Sequence, residues 1–347
     1  MTARAFITGV STTALTGEER VFLREAEPFG LIVFKRNVET PDQLAALVAS
    51  FRDTIGRDAP VLVDQEGGRV QRLGPPHWPR YPEGAQYGRL WERDRALGVE
   101  AARMGARLIA DDLAALGIDV NCLPLADVPT AGADPVIGDR AYGESAEKVA
   151  ELAGAIAAGL VDGGVLPVLK HLPGHGRATA DSHHDLPTVT ADRATLDAVD
   201  FAAFRPLAAL PLGMTAHVVF SAFDPVAPAT TSVTMIQEVI RDSIGFEGLL
   251  MSDDISMGAL SGSLAERSGA AIAAGCDVVL HCNGNMDEMR AVAGAVPLLA
   301  GKAEGRAAAA LAARRKATRA IDAAALRSAF AALLVGGHPT GPRMTLS

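Results

Sequence analysis

Eight short apolar runs, most of them separated by segments of helical period, predict an α/β fold in which parallel βα units close as a single (β/α)8 TIM-type barrel. Three observations carry this expectation. The runs recur along the whole 347-residue chain, the intervening segments have recognisable helix ends, and charged residues gather where the runs stop. A doubly wound open sheet is the structural alternative. No GxGxxG follows an early strand, so the dinucleotide-binding version of that alternative has no support.

The strands are expected at Ala5–Gly9, Gly30–Phe34, Pro60–Asp64, Ile118–Asn121, Leu166–Lys170, Gly213–His217, Leu249–Asp253 and Asp277–His281. Thr40-Pro41 supplies an N-cap and a first-turn proline for a helix reaching about Thr54. Arg95–Leu116 reads as a long Ala/Leu-rich helix stopped by Gly117, and Ser145–Val161 as another stopped by Gly163-Gly164. Ser232–Ser243 stops at Gly245, and Leu264–Ala274 stops at Gly275. Gly74–Arg95 is a Pro-rich, aromatic-bearing excursion, too long for a turn and expected to form a lid or rim. Lys302–Ala332 reads as Ala/Arg-rich helix in the outer layer. The barrel is expected to occupy residues 1–335, with 336–347 a loosely held Gly/Pro-rich tail.

Composition narrows the function classes. Hydrophobic residues make up 49% and charged residues 21%, which is globular rather than disordered. With 32 basic against 41 acidic residues the net charge is -9, which argues against a nucleic-acid or anionic-membrane surface. The three cysteines, Cys122, Cys276 and Cys282, lie in apolar runs and read as reduced buried thiols of a cytoplasmic protein. The N-terminus lacks a signal-peptide layout, and no apolar run approaches the roughly 18 residues of a membrane span.

The chemistry is concentrated in Val168–Thr190, VLKHLPGHGRATADSHHDLPTVT, which holds four of the chain's eight histidines. In a parallel barrel the strand tips carry the site, and the tips here are Asp64, Lys170 with His171, His217, and Asp253 with Asp254. Asp64 and Arg72, around the turn Gly67-Gly68, make a carboxylate–guanidinium pair able to hold hydroxyls or an anionic group. Asp253 ends an apolar strand, a rigid mounting for a nucleophile. Because successive side chains on a strand alternate, at most one of Asp253 and Asp254 faces the substrate. An Asp at this place also suits a helix N-cap. Asp181-Ser182-His183 has the makings of a proton-transfer dyad, in which the aspartate orients the imidazole. The cluster could instead bind zinc through His171, His175, His183 or His217, although no HExxH or short Cys/His spacing is present. His184 and His281 show no partner in the sequence.

At these residues the chain resembles glycoside hydrolase family 3, in its bacterial β-N-acetylhexosaminidase type. The motifs run in the same order: DQEGGRVQR at Asp64–Arg72, GDRAYG at Gly138–Gly143, KHLPGHG at Lys170–Gly176, DSH at Asp181–His183 and SDDISM at Ser252–Met257. LGIDVNCLPLADV at Leu116–Val128 and AGCDVVLHCN at Ala274–Asn283 extend the likeness over nearly the whole chain. Leu172, Gln65 and Ala141 depart from the usual aromatic, His and Ser, and none of them is assigned to chemistry.

The resemblance implies a single barrel that removes terminal β-linked N-acetylglucosamine with retention, without metal or cofactor. Carried over by position, Asp253 is the nucleophile, His183 the general acid/base and Asp181 the residue that polarises it. Asp64, Arg72, Arg140, Lys170 and His171 are then the residues that hold the sugar hydroxyls and N-acetyl group. The implied substrate is a cytoplasmic muropeptide fragment, GlcNAc-1,6-anhydro-MurNAc with or without peptide. Retaining hydrolysis ordinarily uses two carboxyl groups, and a His-Asp pair can take the place of the second. Phosphate in place of water as acceptor, or a glucosidase without N-acetyl preference, is the alternative within the class. A zinc hydrolase and a catalytically silent sugar-binding barrel are the alternatives outside it, and the retained Asp253 and His183 argue against the silent barrel.

Overall fold

The apolar runs pair side by side into a closed parallel barrel in the computed structural model, which describes residues 3–314 and 321–335. The barrel strands are β1 (Arg4–Thr8), β2 (Pro28–Val33), β3 (Val61–Val63), β4 (Val120–Asn121), β5 (Leu166–Leu172), β6 (Leu212–Thr215), β7 (Leu249–Asp254) and β8 (Val278–His281). They follow one another around the barrel in chain order, and β8 closes on β1 with Val279 opposite Phe6. Each expected strand is present within about two residues of its expected ends, the usual uncertainty of such boundaries.

Apolar packing below and charge above come from one strand geometry. Ile7, Leu62, Val120, Leu166, Leu212 and Met251 meet inside the barrel with Ala310 and Leu311 of the helix Gly301–Ala312, which caps the amino end. Side chains two or four residues apart on a strand share a face. Leu62 is therefore followed by Asp64, Leu166 by Lys170 and Met251 by Asp253, and each interior file that begins in hydrocarbon ends in charge at the mouth.

The helices begin where the expected caps stand. Thr40 accepts from the Gln43 N–H ahead of Pro41–Ile55, and Gly56 ends that helix in the left-handed region at φ 66°. Ser145 accepts from the Lys148 N–H ahead of Ala146–Asp162. The expected Ser232–Ser243 helix forms over Met235–Ser243 with wider, π-type turns.

Two expectations need correction. The excursion Gly74–Arg95 contains a helix, Gly84–Arg93, which the prolines and glycines before it obscure in the sequence. It lies against the chain that carries Arg140, so the excursion is a packed rim: a Cβ on Gly84 would stand 2.1 Å from the Arg140 carbonyl oxygen, and one on Gly88 1.9 Å from that of Tyr142. The expected Lys302–Ala332 helix is at least two helices, Gly301–Ala312 and Ala323–Leu334. Asp322 caps the second by accepting from the Ala325 N–H at 3.0 Å. Uniform Ala/Arg composition hides that start. The expected tail at 336–347 lies outside the described residues.

The outer layer packs closely where Arg95–Ala114 meets Ala146–Asp162. A Cβ on Gly159 would lie 2.2 Å from the Arg103 carbonyl oxygen, whereas one on Gly154 would make only ordinary contact, 3.7 Å from Leu207. Alanine ordinarily stabilises a helix interior over glycine by about 1 kcal/mol. Gly154→Ala should therefore raise the unfolding free energy by up to that amount. Gly159→Ala should instead lower it by about 1–3 kcal/mol through overpacking. Urea unfolding of both variants measures the sign at each position.

Candidate active site

The site is built at the carboxyl ends of β3, β5 and β7, on the loops that follow them and on the segment after β4. After β3 the chain makes a tight hairpin, Gln65–Gly67 against Val70–Gln71, in which Gly67 and Gly68 have φ of 103° and 55°. Only glycine accepts such angles readily, and a Cβ on Gly67 would also strike the Pro82 carbonyl oxygen at 2.2 Å. The hairpin returns Arg72 to Asp64, where Nη2 donates to Oδ2 at 2.9 Å. Gln65, the departure from the usual His, is buried at the hairpin base. Its Oε1 accepts from the Arg72 and Leu73 N–H groups, each at 3.0 Å, and its Nε2 donates to the Leu73 carbonyl at 2.8 Å.

Lys170, at 2% exposure, aims its ammonium between two carboxylates, 3.3 Å from Asp64 Oδ1 and 2.7 Å from Glu66 Oε1. Arg140 completes the cluster with two parallel bonds to Glu66, both 2.8 Å. Burial alone would raise both carboxyl pKa values. Lys170 and Arg72 outweigh it at Asp64, which falls well below the usual range, and Arg140 and Lys170 take Glu66 from 4.5 to about 2. Burial opposes the charge of Lys170 as well, but the two carboxylates overcome it and raise its pKa.

Asp127 forms a second anchor beside this cluster. Fully buried, it accepts the His171 Nδ1–H at 2.7 Å and the His175 main-chain N–H at 2.7 Å. Its pKa would be raised by burial but is brought to about 2, with His171 the main opposing partner. Committing Nδ1 to Asp127 turns the other edge of the His171 ring away from that carboxylate.

At β7 the two adjacent aspartates divide. Asp254 takes the Ser256 N–H at 3.1 Å, the Ser256 hydroxyl at 2.8 Å and the Cys282 N–H at 3.2 Å on its side chain. Its carbonyl accepts from His217 Nε2 at 3.0 Å. It is a turn-forming residue. Neither aspartate caps a helix, because the next one starts at Leu264 behind Ser263. Among the described residues Asp253 accepts only the Asp254 N–H, at 2.7 Å. Burial would push its carboxyl up, but His171, His217, that N–H and Lys170 together hold it below the ordinary range. Asp253 is thus a half-buried carboxylate kept ionised by nearby charge rather than by a contact ion pair.

On the loop after β5, His183 is exposed over 60% of its side chain, and its Nδ1 lies 2.6 Å from Asp181 Oδ1. The same oxygen accepts the His183 main-chain N–H at 2.9 Å. A ring held this way donates Nδ1–H to the carboxylate and leaves Nε2 to exchange protons. The four histidines of the zinc alternative go to separate partners: His171 to Asp127, His175 to Ser182, His183 to Asp181 and His217 to Thr230. Among the described residues no three His, Cys, Asp or Glu are grouped to hold a metal ion. His184 is exposed, and His281 bonds Glu288.

All eight sequence-derived site residues lie on the tips of β3, β5 and β7, on the hairpin after β3, on the loop after β5, or on the segment after β4 that carries Arg140. Asp64, Arg72, Lys170 and Arg140 form one cluster through Glu66. Glu66 and Asp127 were missed. Glu66 had a signal, since it stands two residues from Asp64 on the same face. Asp127 had a weaker one, a lone carboxylate in the apolar stretch LPLADV. A cavity of about 700 Å³ near Leu210, Arg241 and Arg306 lies by the amino ends of β6 and β7 and includes none of these residues.

Residues 10–312 match the family described as Glycosyl hydrolase family 3 N terminal domain. The chain is 40% identical over 279 residues to a beta-hexosaminidase of Alkalilimnicola ehrlichii, covering 79% of each protein. It is 38% identical over 288 residues to one from Neisseria meningitidis, covering 81% of this chain and 79% of the relative. Among solved structures, native NagZ from Neisseria gonorrhoeae superimposes with a TM-score of 0.84 at 31% identity, over 96% of this chain and 97% of that one. A family 3 β-N-acetylglucosaminidase from a Paenibacillus species gives 0.85 at 30% identity, over 95% of this chain and 67% of the other.

The buried cluster makes stability depend on acid. Glu66 has a folded-state pKa of about 2 against 4.5. Its contribution is therefore present above about pH 4.5 and is lost as pH falls toward 2. Glu66→Gln should cost about 3–5 kcal/mol at pH 7, because it strands Arg140 and leaves Lys170 with Asp64 alone. Thermal unfolding followed from pH 7 to pH 3 should show a shallower acid decline in the variant than in the wild type.

Proposed function

Because the chain belongs to glycosyl hydrolase family 3 and is a glycoside hydrolase, we propose that it is a retaining exo-β-N-acetylglucosaminidase acting through a covalent glycosyl-Asp253 intermediate. The observation that carries the proposal is the division between the two strand-tip aspartates: Asp254 is consumed by the turn, while Asp253 is held ionised and, among the described residues, has no fixed cation.

In the first step Asp253 attacks the anomeric carbon and the bond to the leaving oxygen breaks. His183 Nε2–H protonates that oxygen, and Asp181 stabilises the imidazolium. In the second step the neutral ring takes a proton from water, the water oxygen attacks the anomeric carbon, and Asp253 leaves as carboxylate. Two displacements restore the original configuration. Asp64, Arg72, Arg140, Lys170 and His171 hold the sugar. The cluster supports this role because Asp64 and Glu66 are acceptors and Lys170, Arg72 and Arg140 donors, all fixed before any hydroxyl arrives.

The substrate we propose is a peptidoglycan fragment, GlcNAc-1,6-anhydro-MurNAc with or without peptide, in the cytoplasm, with residues 1–335 as one catalytic unit. The names of the relatives support the sugar. Three buried free thiols suit a reducing compartment, and among the described residues no helix is long and apolar enough to cross a membrane.

Turnover of an aryl β-N-acetylglucosaminide tests the proposal. Asp253→Ala should lose at least about 10⁴-fold in kcat and keep its fold by circular dichroism; near-normal turnover removes Asp253 as nucleophile. His183→Ala should lose about 10²–10⁴-fold on substrates with poor leaving groups and far less on activated aryl glycosides. A glycosyl phosphate product in added phosphate reassigns the enzyme as a phosphorylase. Inhibition by a chelator points to zinc, and binding without turnover to a silent barrel.

A further inference from the structure

Between the two members of the Asp181–His183 pair stands Ser182, which is not turned toward the mouth. It is 3% exposed, and its hydroxyl shares a 3.0 Å hydrogen bond with His175 Nε2. We propose that Ser182, gripped by His175 on one side and by the loop after β7 on the other, positions the His183 acid/base, so that Ser182, His175 and Gly258 are positioning residues for proton transfer. This rests on the reading of His183 given above.

The grip on the first side is a continuous set of hydrogen bonds. Asp127 holds the His171 ring and the His175 main chain, and the His175 ring holds Ser182. Burial and the neighbouring His171 push the His175 pKa down to about 4, so near neutral pH the ring is an uncharged hydrogen-bonding group. Its Nδ1 is buried with no partner, which makes Ser182 the ring's one hydrogen-bond anchor among the described residues. Five residues of the loop, Gly176 to Ala180, intervene between this ring and the Asp-Ser-His turn, so the side-chain bond fixes a distance that the main chain alone does not.

The grip on the second side comes from the chain that leaves the nucleophile strand. The Ala259 N–H donates to the Ser182 carbonyl at 3.1 Å, and the Gly258 N–H to the His183 carbonyl at 3.2 Å. These bonds tie the acid/base to a segment starting five residues after Asp253, so the two reacting groups share one frame. Gly258 has no room for a side chain there: a Cβ would stand 2.9 Å from the His183 carbonyl oxygen and 2.8 Å from that of His184. Both are main-chain atoms, so any substituent must move the turn that carries His183.

Misplacing a catalytic group by about 1 Å can cost up to about 10²-fold in rate. Ser182→Ala and Gly258→Ala remove none of the groups assigned to chemistry and act only on where His183 stands. Each should lower kcat/KM on N,N′-diacetylchitobiose about tenfold more than on a dinitrophenyl β-N-acetylglucosaminide, which needs little protonation. In the His183→Ala background, Ser182→Ala should add no further loss on either substrate. Equal losses on the two substrates, or losses that multiply with that of His183→Ala, overturn the positioning role and leave Ser182 a packing residue. If Ser182→Ala fails to fold, Gly258→Ala alone decides by the same comparison. If His183→Ala itself loses equally on both substrates, the acid/base reading of His183 fails and the positioning role goes with it.

Discussion

A lysine ammonium buried at the barrel mouth cannot stand alone, since the cost of removing it from water runs to several kcal/mol. Lys170 solves this by lying between Asp64 and Glu66, and that solution organises much of what surrounds it. Asp64 in turn requires Arg72, which the Gly67-Gly68 hairpin returns to it. Glu66 requires Arg140, which arrives from the segment held against the helix Gly84–Arg93. Two carboxylates thus face three cations, and against the effect of burial Lys170 adds to His171 and His217 in holding the Asp253 carboxyl below its ordinary range. Ion pairs of this kind add little net stability over hydrocarbon. What they supply is a set of donors and acceptors whose directions are settled in advance.

The Asp127 anchor works differently. Among the described residues it holds no cationic side chain of fixed charge, only a ring N–H and main-chain N–H groups, and through them it sets the orientation of His171 and the path of the loop toward His175. The mouth is therefore divided between an ionic half on β3 and β5 and a hydrogen-bonded half that runs from Asp127 to the loop after β5. Asp127, His171, His175 and Ser182 in the second half are buried, so each bond there is worth more than its surface counterpart.

The barrel was legible because its signals are local. Strand runs, caps such as Thr40 and Ser145, and stops such as Gly56 and Gly117 each act within a few residues. Legibility failed where local signals were absent or misleading. The helix Gly84–Arg93 is preceded by prolines and glycines, and its glycines are there for contact with Arg140 and Tyr142 rather than for turning. The start at Asp322 is one capping residue in an otherwise uniform Ala/Arg stretch.

The sequence by itself determined the fold class and the list of charged residues at the strand tips, since alternation along each strand dictates which side chains continue the interior file into the mouth. It also narrowed Asp253 and Asp254 to one substrate-facing residue. Only the tertiary structure shows which of them the turn occupies, because the partners of Asp254 include Cys282 on the neighbouring strand end. The same holds for Glu66, whose role depends on Arg140 seventy-four positions away, and for Ser182, whose hydroxyl is turned inward by a histidine from the far end of its own loop. Periodicity and caps are properties of neighbours in the chain; pairing of buried charge and the direction of a buried hydroxyl are properties of neighbours in space.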